Sequence, residues 1–463
     1  MYWWSLHNSL LPEPRINNRM ALIEEHSRLY ETEHPLDVAI WLICLAITCL
    51  QLPSDFDYTA LDSIPPAKEL VSRIVEEIHH VLSVEEAIGT LKGIECAVVF
   101  AQLQKFIGRP KRGWLTLRRA ISYAELMNLQ SSRRALKQLQ AQPDPSDLEV
   151  ELHEYKAKLW DQCCGIDRML SIILCMPSTA RNYNCPPSID PNARDSETRY
   201  SVWRAGVFAD RIVARDQMSD GQEAWAETQD IMKQLAQIES EWPADWNTVD
   251  FRTTYDLKTS AVVLHQSGHS FIVLRCNLPY LFKAEQDPTT YHINATSCLQ
   301  SCRIILRHYF ALRTRLASGA FLSRTCDIHA FTASIILILH RDQQSSGFMP
   351  TTDSALLENA KTAMRSAPTG LGQALTTRMV VALNAVQQCL DGDTAAPEKV
   401  RLRVPVLGPV TIWRSEPGNG RLDVNGALRP EFEVGDAGWV SEGGGIAFDF
   451  DALDDDWFLQ DGC

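Results

Sequence analysis

At 463 residues the chain can bury a large core, and length alone allows two or three domains. A hydrophobic content of 45% with 22% charged residues is that of an ordinary globular protein, and a net charge of −14 excludes a chain that coats nucleic acid over its whole surface. The acidity is local: Glu431 to Cys463 holds ten acidic residues and no basic one.

The chain opens Met1-Tyr2-Trp3-Trp4-Ser5 and continues with polar residues, without a charged-then-apolar leader. From Arg19 to about Leu390 the apolar residues recur at helical period. Val38 to Leu50 is the longest apolar run; it is too short for a bilayer, which takes about 20 residues, and reads as a buried helix. Leu70, Val71, Ile74, Ile78, Val81 and Leu82 step by three and four. Ser83-Val84-Glu85-Glu86 has the form of a capping box opening a helix toward Phe106. Gly108-Arg109-Pro110 breaks that helix, and Trp114 to Leu129 is periodic again. Gln140 to Ser146 is a polar loop. Further helices are predicted over Leu148–Cys175, Ser196–Asp216, Gly221–Glu241, Thr253–Lys283, Asn294–Ala317, Thr325–His340 and Asp353–Gln388.

After Gly392 the composition changes. Ten of the 23 glycines lie between Gly392 and Gly445, among five prolines. Arg401 to Trp413 carries the pattern of a short strand pair, and the remainder reads as a flexible linker. The predicted organisation is an N-terminal segment 1–18, a helical regulatory domain 19–390, a Gly/Pro-rich linker 391–447 and an acidic-aromatic tail 448–463. The fold class is all-α, with a flexible, acidic and mostly disordered C-terminus.

Thirteen cysteines are scattered through apolar runs in no dense framework, the pattern of buried free thiols in a reducing compartment. Cys298 and Cys302 lie one turn apart without a second pair at structural-zinc spacing. His265 and His269 share one helical face but lack the glutamate of a metalloprotease helix, and two ligands alone do not close a site, so a core or partly exposed pair is the better reading. No phosphate loop, nucleophile elbow or dinucleotide fingerprint occurs, and no catalytic, cofactor-binding or metal-ligating residue is assigned.

Three groups of residues stand out. Asp167 and Arg168 sit in an apolar stretch with Ile166, Met169, Leu170, Ile172, Ile173 and Leu174 around them. Charges there must be paired or hydrogen-bonded, so they read as an internal pin between helices. Arg109, Lys111, Arg112, Arg118 and Arg119 form the densest basic run, with Arg133-Arg134 and Lys137 after it; this is either a solvated face or a contact to nucleic acid or an import receptor. In the tail, Phe448, Phe450, Leu453, Trp457, Phe458 and Leu459 alternate with carboxylates. Mutual repulsion of the carboxylates keeps such aromatics in water and available to dock on a partner, the composition of an activation segment. Asp454-Asp455-Asp456 also suggests the aspartate-rich metal motif of an all-α cyclase, but it stands behind a glycine-rich linker without a second ligand cluster.

Three stretches in order resemble the middle homology region of fungal zinc-cluster transcription factors. Gly108 to Leu129, with Trp114, is similar to its basic loop, Trp and helix. Lys158-Leu-Trp160 through Asp167-Arg168, Leu170-Ser171 and Pro177 is similar to its Trp, Asp-Arg, Leu-Ser, Leu-Gly-Arg-Pro block. Leu257 to Phe282, with His265, Leu274-Arg275 and Pro279, resembles its helix ending in a His-Arg-Pro turn. Cys175-Met176 stands where that family has Gly-Arg. The six-cysteine binuclear zinc cluster that precedes this region in the family is not in these 463 residues, so no DNA-reading residue carries over; zinc is expected only with a cysteine cluster upstream. The resemblance implies a nuclear transcription regulator of a biosynthetic or catabolic gene set and not an enzyme. Its implied partners are DNA, directly or through another factor, the transcription machinery through the tail, and a homo- or heterodimer partner; no membrane is involved. A co-regulator or ligand-binding helical module without DNA binding of its own is the alternative, and a metal-dependent cyclase is the less well supported one.

Overall fold

The computed structural model describes residues 19–31, 34–50, 65–179, 196–219, 221–249, 257–285, 287–315, 324–343, 351–366, 373–393, 397, 399–414 and 446–448. The protein is all-α. In chain order the helices are α1 (Arg19–Glu31), α2 (Pro35–Leu50), α3 (Ala67–Ser83), α4 (Glu85–Ile88), α5 (Leu91–Phe106), α6 (Pro110–Leu126), α7 (Ser132–Gln140), α8 (Asp147–Leu174), α9 (Ser196–Asp216), α10 (Gly221–Ser240), α11 (Leu257–Leu281), α12 (Pro288–Arg315), α13 (Arg324–Gln343), α14 (Thr351–Arg365) and α15 (Gln373–Leu390). Three short strands follow: β1 (Lys399–Val404), β2 (Gly408–Trp413) and β3 (Ile446–Phe448). No helix among the described residues is long and apolar enough to cross a membrane.

The chain divides into two compact units. The first comprises Met1–Ser171, Ser178–Gly206 and Ala317–Ser323. Its centre is α5, where almost every residue from Gly93 to Leu103 is buried, including Glu95 and Gln102. A helix covered on all sides has no polar face to offer water, which explains the near-continuous apolar sequence Cys96–Phe100. α2, α3 and α6 pack on it through Ile43 and Ile47, Ile74 and Ile78, and Leu117 and Ile121. The buried Glu95 accepts from the Tyr155 hydroxyl at 2.9 Å, and Lys92 lies 3.2 Å from it and 2.9 Å from Asp37. Burial pulls the Lys92 pKa down, but Glu95 and Asp37 outweigh it and the net shift is upward.

The second unit comprises Ile172–Pro177, Val207–Leu316 and Arg324–Cys463. Its backbone is the hairpin of α11 and α12, joined along Leu274, Cys298, Ile305 and their neighbours, with α13, α14 and α15 on the flank. β1 and β2 form the expected antiparallel hairpin, Leu402 opposite Val410, and its apolar face rests on α15. Val400, Leu402, Val410 and Ile412 are buried, and the Cys389 thiol lies 3.7 Å from the Ile412 carbonyl. Part of the segment read as linker is therefore folded onto the helical body.

Two helix readings need correction. Ser83 does not open a helix: it ends α3, its hydroxyl donating back to the His80 carbonyl at 2.6 Å. The cap of α5 is Thr90, whose hydroxyl accepts from the Gly93 amide at 2.9 Å, after the break at Gly89. The region Asp353–Gln388 is two helices, α14 and α15, separated where the sequence reads Pro368-Thr-Gly370-Leu-Gly372.

Candidate functional site

The basic run lies at the junction of α5 and α6. Gly108 takes φ +87°, a left-handed conformation that suits glycine, and Pro110 occupies the first turn of α6. Gly113 lies at a close approach of the two helices: a Cβ there would meet the Ala101 carbonyl oxygen at 2.9 Å. These flanking glycines serve the helix crossing rather than an anion.

The five basic residues do not form one surface. Arg109 is buried, at 6% exposure, in the N-cap position of α6. Arg118 stacks over Trp114 at 4.6 Å and places Nε 3.1 Å from Asp167 Oδ1. Arg119 donates to the Leu82 and Ser83 carbonyls, both at 2.9 Å, and so closes the C-terminal end of α3. Lys111 is exposed and Arg112 half-buried. In the second basic run, Arg133 is tied to Asp161 of α8, its Nε 3.2 Å from Oδ1. Arg109, Arg118, Arg119 and Arg133 are thus engaged within the fold, and Lys111 is an exposed cation of the first run.

Asp167 and Arg168 are both buried, at 0% and 1% exposure. Successive helix positions point about 100° apart, so Asp167 is met from outside its own helix. Its countercharge is Arg118, and the Thr179 amide and hydroxyl both donate to Oδ2, at 2.7 and 2.9 Å. Asp167 of α8 is thus tied across helices to Arg118 of α6. The aliphatic stem of Arg168 runs past Gly206.

Sequence reading did not single out two comparable nodes in the second unit. Asp327 is fully buried and accepts from Tyr309 at 2.7 Å, from Arg313, and from Arg324 at 3.1 Å. Burial pushes the Asp327 pKa up, but the two guanidiniums and the phenol overcome it and hold the carboxyl below its usual range. Asp216 receives Arg215 at 2.8 Å and Arg275, while Arg215 also donates to Thr228 at 2.6 Å and to the Cys276 carbonyl at 2.8 Å. Pro279 stands in the last turn of α11. The signal was present in Leu274-Arg275-Cys276 and Cys326-Asp327-Ile328, charges between apolar neighbours, but nothing local names their partners.

His265 and His269 are core residues of α11. Trp242 packs edge-on against both, at 5.5 and 4.9 Å between ring centres, and Trp246 against His265 at 5.1 Å. Burial pulls the His265 pKa to about 3, helped by His269, and the His269 pKa to about 4. Among the described residues no group of three or more His, Cys, Asp or Glu side chains could hold a metal ion. Of the tail anchors, Phe448 is in β3, which pairs in parallel with β1 and sets Phe448 opposite Leu402. Phe450, Leu453, Trp457, Phe458, Leu459 and the Asp454–Asp456 run lie outside the described residues.

An all-helical body held by buried arginine–carboxylate nodes is the architecture on which comparison with known proteins bears. No family model matches the chain. Transcription factor sdnS of Sordaria araneosa is 26% identical over 406 residues, covering 82% of this chain and 52% of that protein. The dehydrocurvularin biosynthesis regulator of Alternaria cinerariae is 23% identical over 433 residues, covering 85% and 55%. The regulator of the same description from Aspergillus terreus is 23% identical over 356 residues, covering 74% and 48%. The chain is a relative of fungal transcription factors and biosynthesis regulators, and it spans about half the length of the curated relatives it matches.

Proposed function

We propose that this chain is a nuclear transcription regulator of a fungal biosynthetic gene cluster, acting as a regulatory body and not as an enzyme. The observation that carries the reading is the similarity over most of this chain to three proteins named as regulators, two of them of a biosynthetic pathway. The all-helical fold agrees with it: its buried charges are spent on holding helices together. In this reading DNA is reached directly or through a partner factor, and the body is the part that receives signals. Transcript profiling of a deletion strain tests it. A coordinated fall across one contiguous set of biosynthetic genes is expected; unchanged transcripts of every such set would sink it.

The acidic end of the chain is proposed as the contact to the transcription machinery, through Phe450, Leu453, Trp457, Phe458 and Leu459 between carboxylates. Fusing residues 431–463 to a heterologous DNA-binding domain should activate a reporter, and changing Phe450, Trp457 and Phe458 to alanine should abolish that. A silent fusion, or one indifferent to the three changes, removes the tail from the reading.

A further inference from the structure

Buried polar atoms in folded proteins nearly always have a hydrogen-bond partner, and clusters that lack one are rare. Such a cluster lies where the turn at Ala244–Thr248 packs on α11. Both ring nitrogens of His269, Nε2 of His265 and the indole nitrogen of Trp242 are buried without a hydrogen-bond partner. The two imidazoles are 4% and 6% exposed. The rings are in mutual contact through the centroid distances of 4.9 and 5.5 Å given above. Gln266, beside them, is satisfied: its amide donates to the Trp246 carbonyl at 3.0 Å and fixes the turn against the helix.

We propose that His265, His269 and Trp242 are the polar contacts of a small-molecule site that takes a neutral, ring-bearing compound with a free hydroxyl. The chemistry selects that class. Burial keeps both imidazoles uncharged at neutral pH, so His269 offers one N–H donor and one bare nitrogen acceptor, and His265 offers its Nε2 as one or the other. The indole offers a donor alone. A hydroxyl both donates and accepts, so it can meet a bare imidazole nitrogen and the indole N–H together. A carboxylate brings a charge that finds no counter-ion among these three side chains and carries no proton to give. The walls are the rings of Trp242 and Trp246, which favour a flat apolar partner through edge-to-face contact. A metal ion would have two imidazoles and no third ligand among the described residues. The inference does not depend on the transcriptional reading, since it concerns what this corner binds.

Ligand-observed NMR on the full chain at neutral pH tests it with phenol as the probe and benzoate, toluene and nickel ion as comparisons. Saturable phenol binding is expected, with benzoate and toluene about tenfold weaker or more, the effect of losing one or two neutral hydrogen bonds. His269→Phe keeps a flat ring and removes both nitrogens; it should weaken phenol about tenfold while its melting temperature holds or rises. Should that variant fail to fold, Trp242→Phe, which removes only the indole N–H and part of the ring, should weaken phenol in the same direction. No saturable phenol binding, toluene binding as tightly as phenol, or phenol affinity unchanged in both variants would each overturn the proposal. So would nickel bound through His269 by a protein that ignores phenol.

Discussion

Arg118 Nε lies 3.1 Å from Asp167 Oδ1, and this contact joins two groups of residues that look unrelated in the sequence. Arg118 belongs to the basic run of α6 and Asp167 to the apolar stretch of α8. The Thr179 amide and hydroxyl add hydrogen bonds to Asp167 Oδ2. With Asp167 wholly buried, the guanidinium is what makes its charge tolerable.

Arg118→Ala should therefore destabilise the protein by about 3 kcal/mol, since it strands a buried carboxylate. Arg168→Ala should cost about 3–5 kcal/mol, because it empties one of the largest fully buried side-chain positions as well as removing a charge. Urea unfolding followed by circular dichroism measures both. Near-neutral midpoints would mean that these arginines are solvated.

Gly113 and Gly165 make a matched comparison. A methyl at Gly113 would press on the Ala101 carbonyl at 2.9 Å and on Gln104 Cβ at 3.3 Å, so Gly113→Ala should destabilise by about 1–3 kcal/mol. A methyl at Gly165 meets nothing within 4 Å, and Gly165→Ala should stabilise α8 by about 0.5–1 kcal/mol through helix propensity. Equal effects at both sites would refute the close crossing of α5 and α6.

Stability should fall on mild acidification. Burial lowers the pKa of His265 to about 3 and of His269 and His308 to about 4, the last with help from Arg307. The unfolded chain takes up these protons near pH 6.5 while the folded protein does not. Stability is then full above that pH and declines by about 1.4 kcal/mol per pH unit for each histidine as pH drops toward 4. Denaturation midpoints at pH 7.5, 6 and 5 read this out, and His269→Phe should flatten the slope. A pH-independent midpoint across that range contradicts the buried, neutral imidazoles.

Thiol reactivity should divide the cysteines. Cys49 and Cys175 are partly exposed, whereas Cys44, Cys96, Cys163, Cys164, Cys276, Cys298, Cys302, Cys326 and Cys389 are buried. Burial raises the Cys276 pKa to about 11 and that of Cys96, with Glu95 adding to it, to about 12, which leaves almost no thiolate at neutral pH. Cys175 also takes φ +56° at the end of α8, and its sulfur accepts from Arg275 at 3.5 Å. Brief maleimide labelling of the native protein, mapped by mass spectrometry, should modify Cys49 and Cys175 before any of the nine buried thiols among the described residues. Early modification of Cys96 or Cys276 would show that their helices open readily.

The left-handed backbone at Cys175 also accounts for a sequence oddity. The resembling family has glycine at this place, and a residue following a helix in this conformation is usually glycine because a Cβ is strained there. The departure from the family pattern was visible in the sequence, but the reason for the pattern was not.

The sequence by itself determined that the body is helical and where most helices lie. Apolar spacing at 3.6 residues is local information, and the turn chemistry of Gly108-Arg109-Pro110 and the strand pattern of Arg401–Trp413 are local too. It also determined that Asp167 and Arg168 belong inside, because their neighbours are apolar. Where punctuation competed, as with Ser83 against Thr90 or across Pro368–Gly372, local reading chose the wrong cap or ran through a break. Only the tertiary structure decided which charge meets which: Arg118 with Asp167, Arg119 with the end of α3, Arg313 and Arg324 with Asp327, Arg275 with Asp216. The physical reason is that a helix's own period sets which face is buried, whereas the partner of a buried charge depends on how separate helices cross, and on the small residues that let them approach.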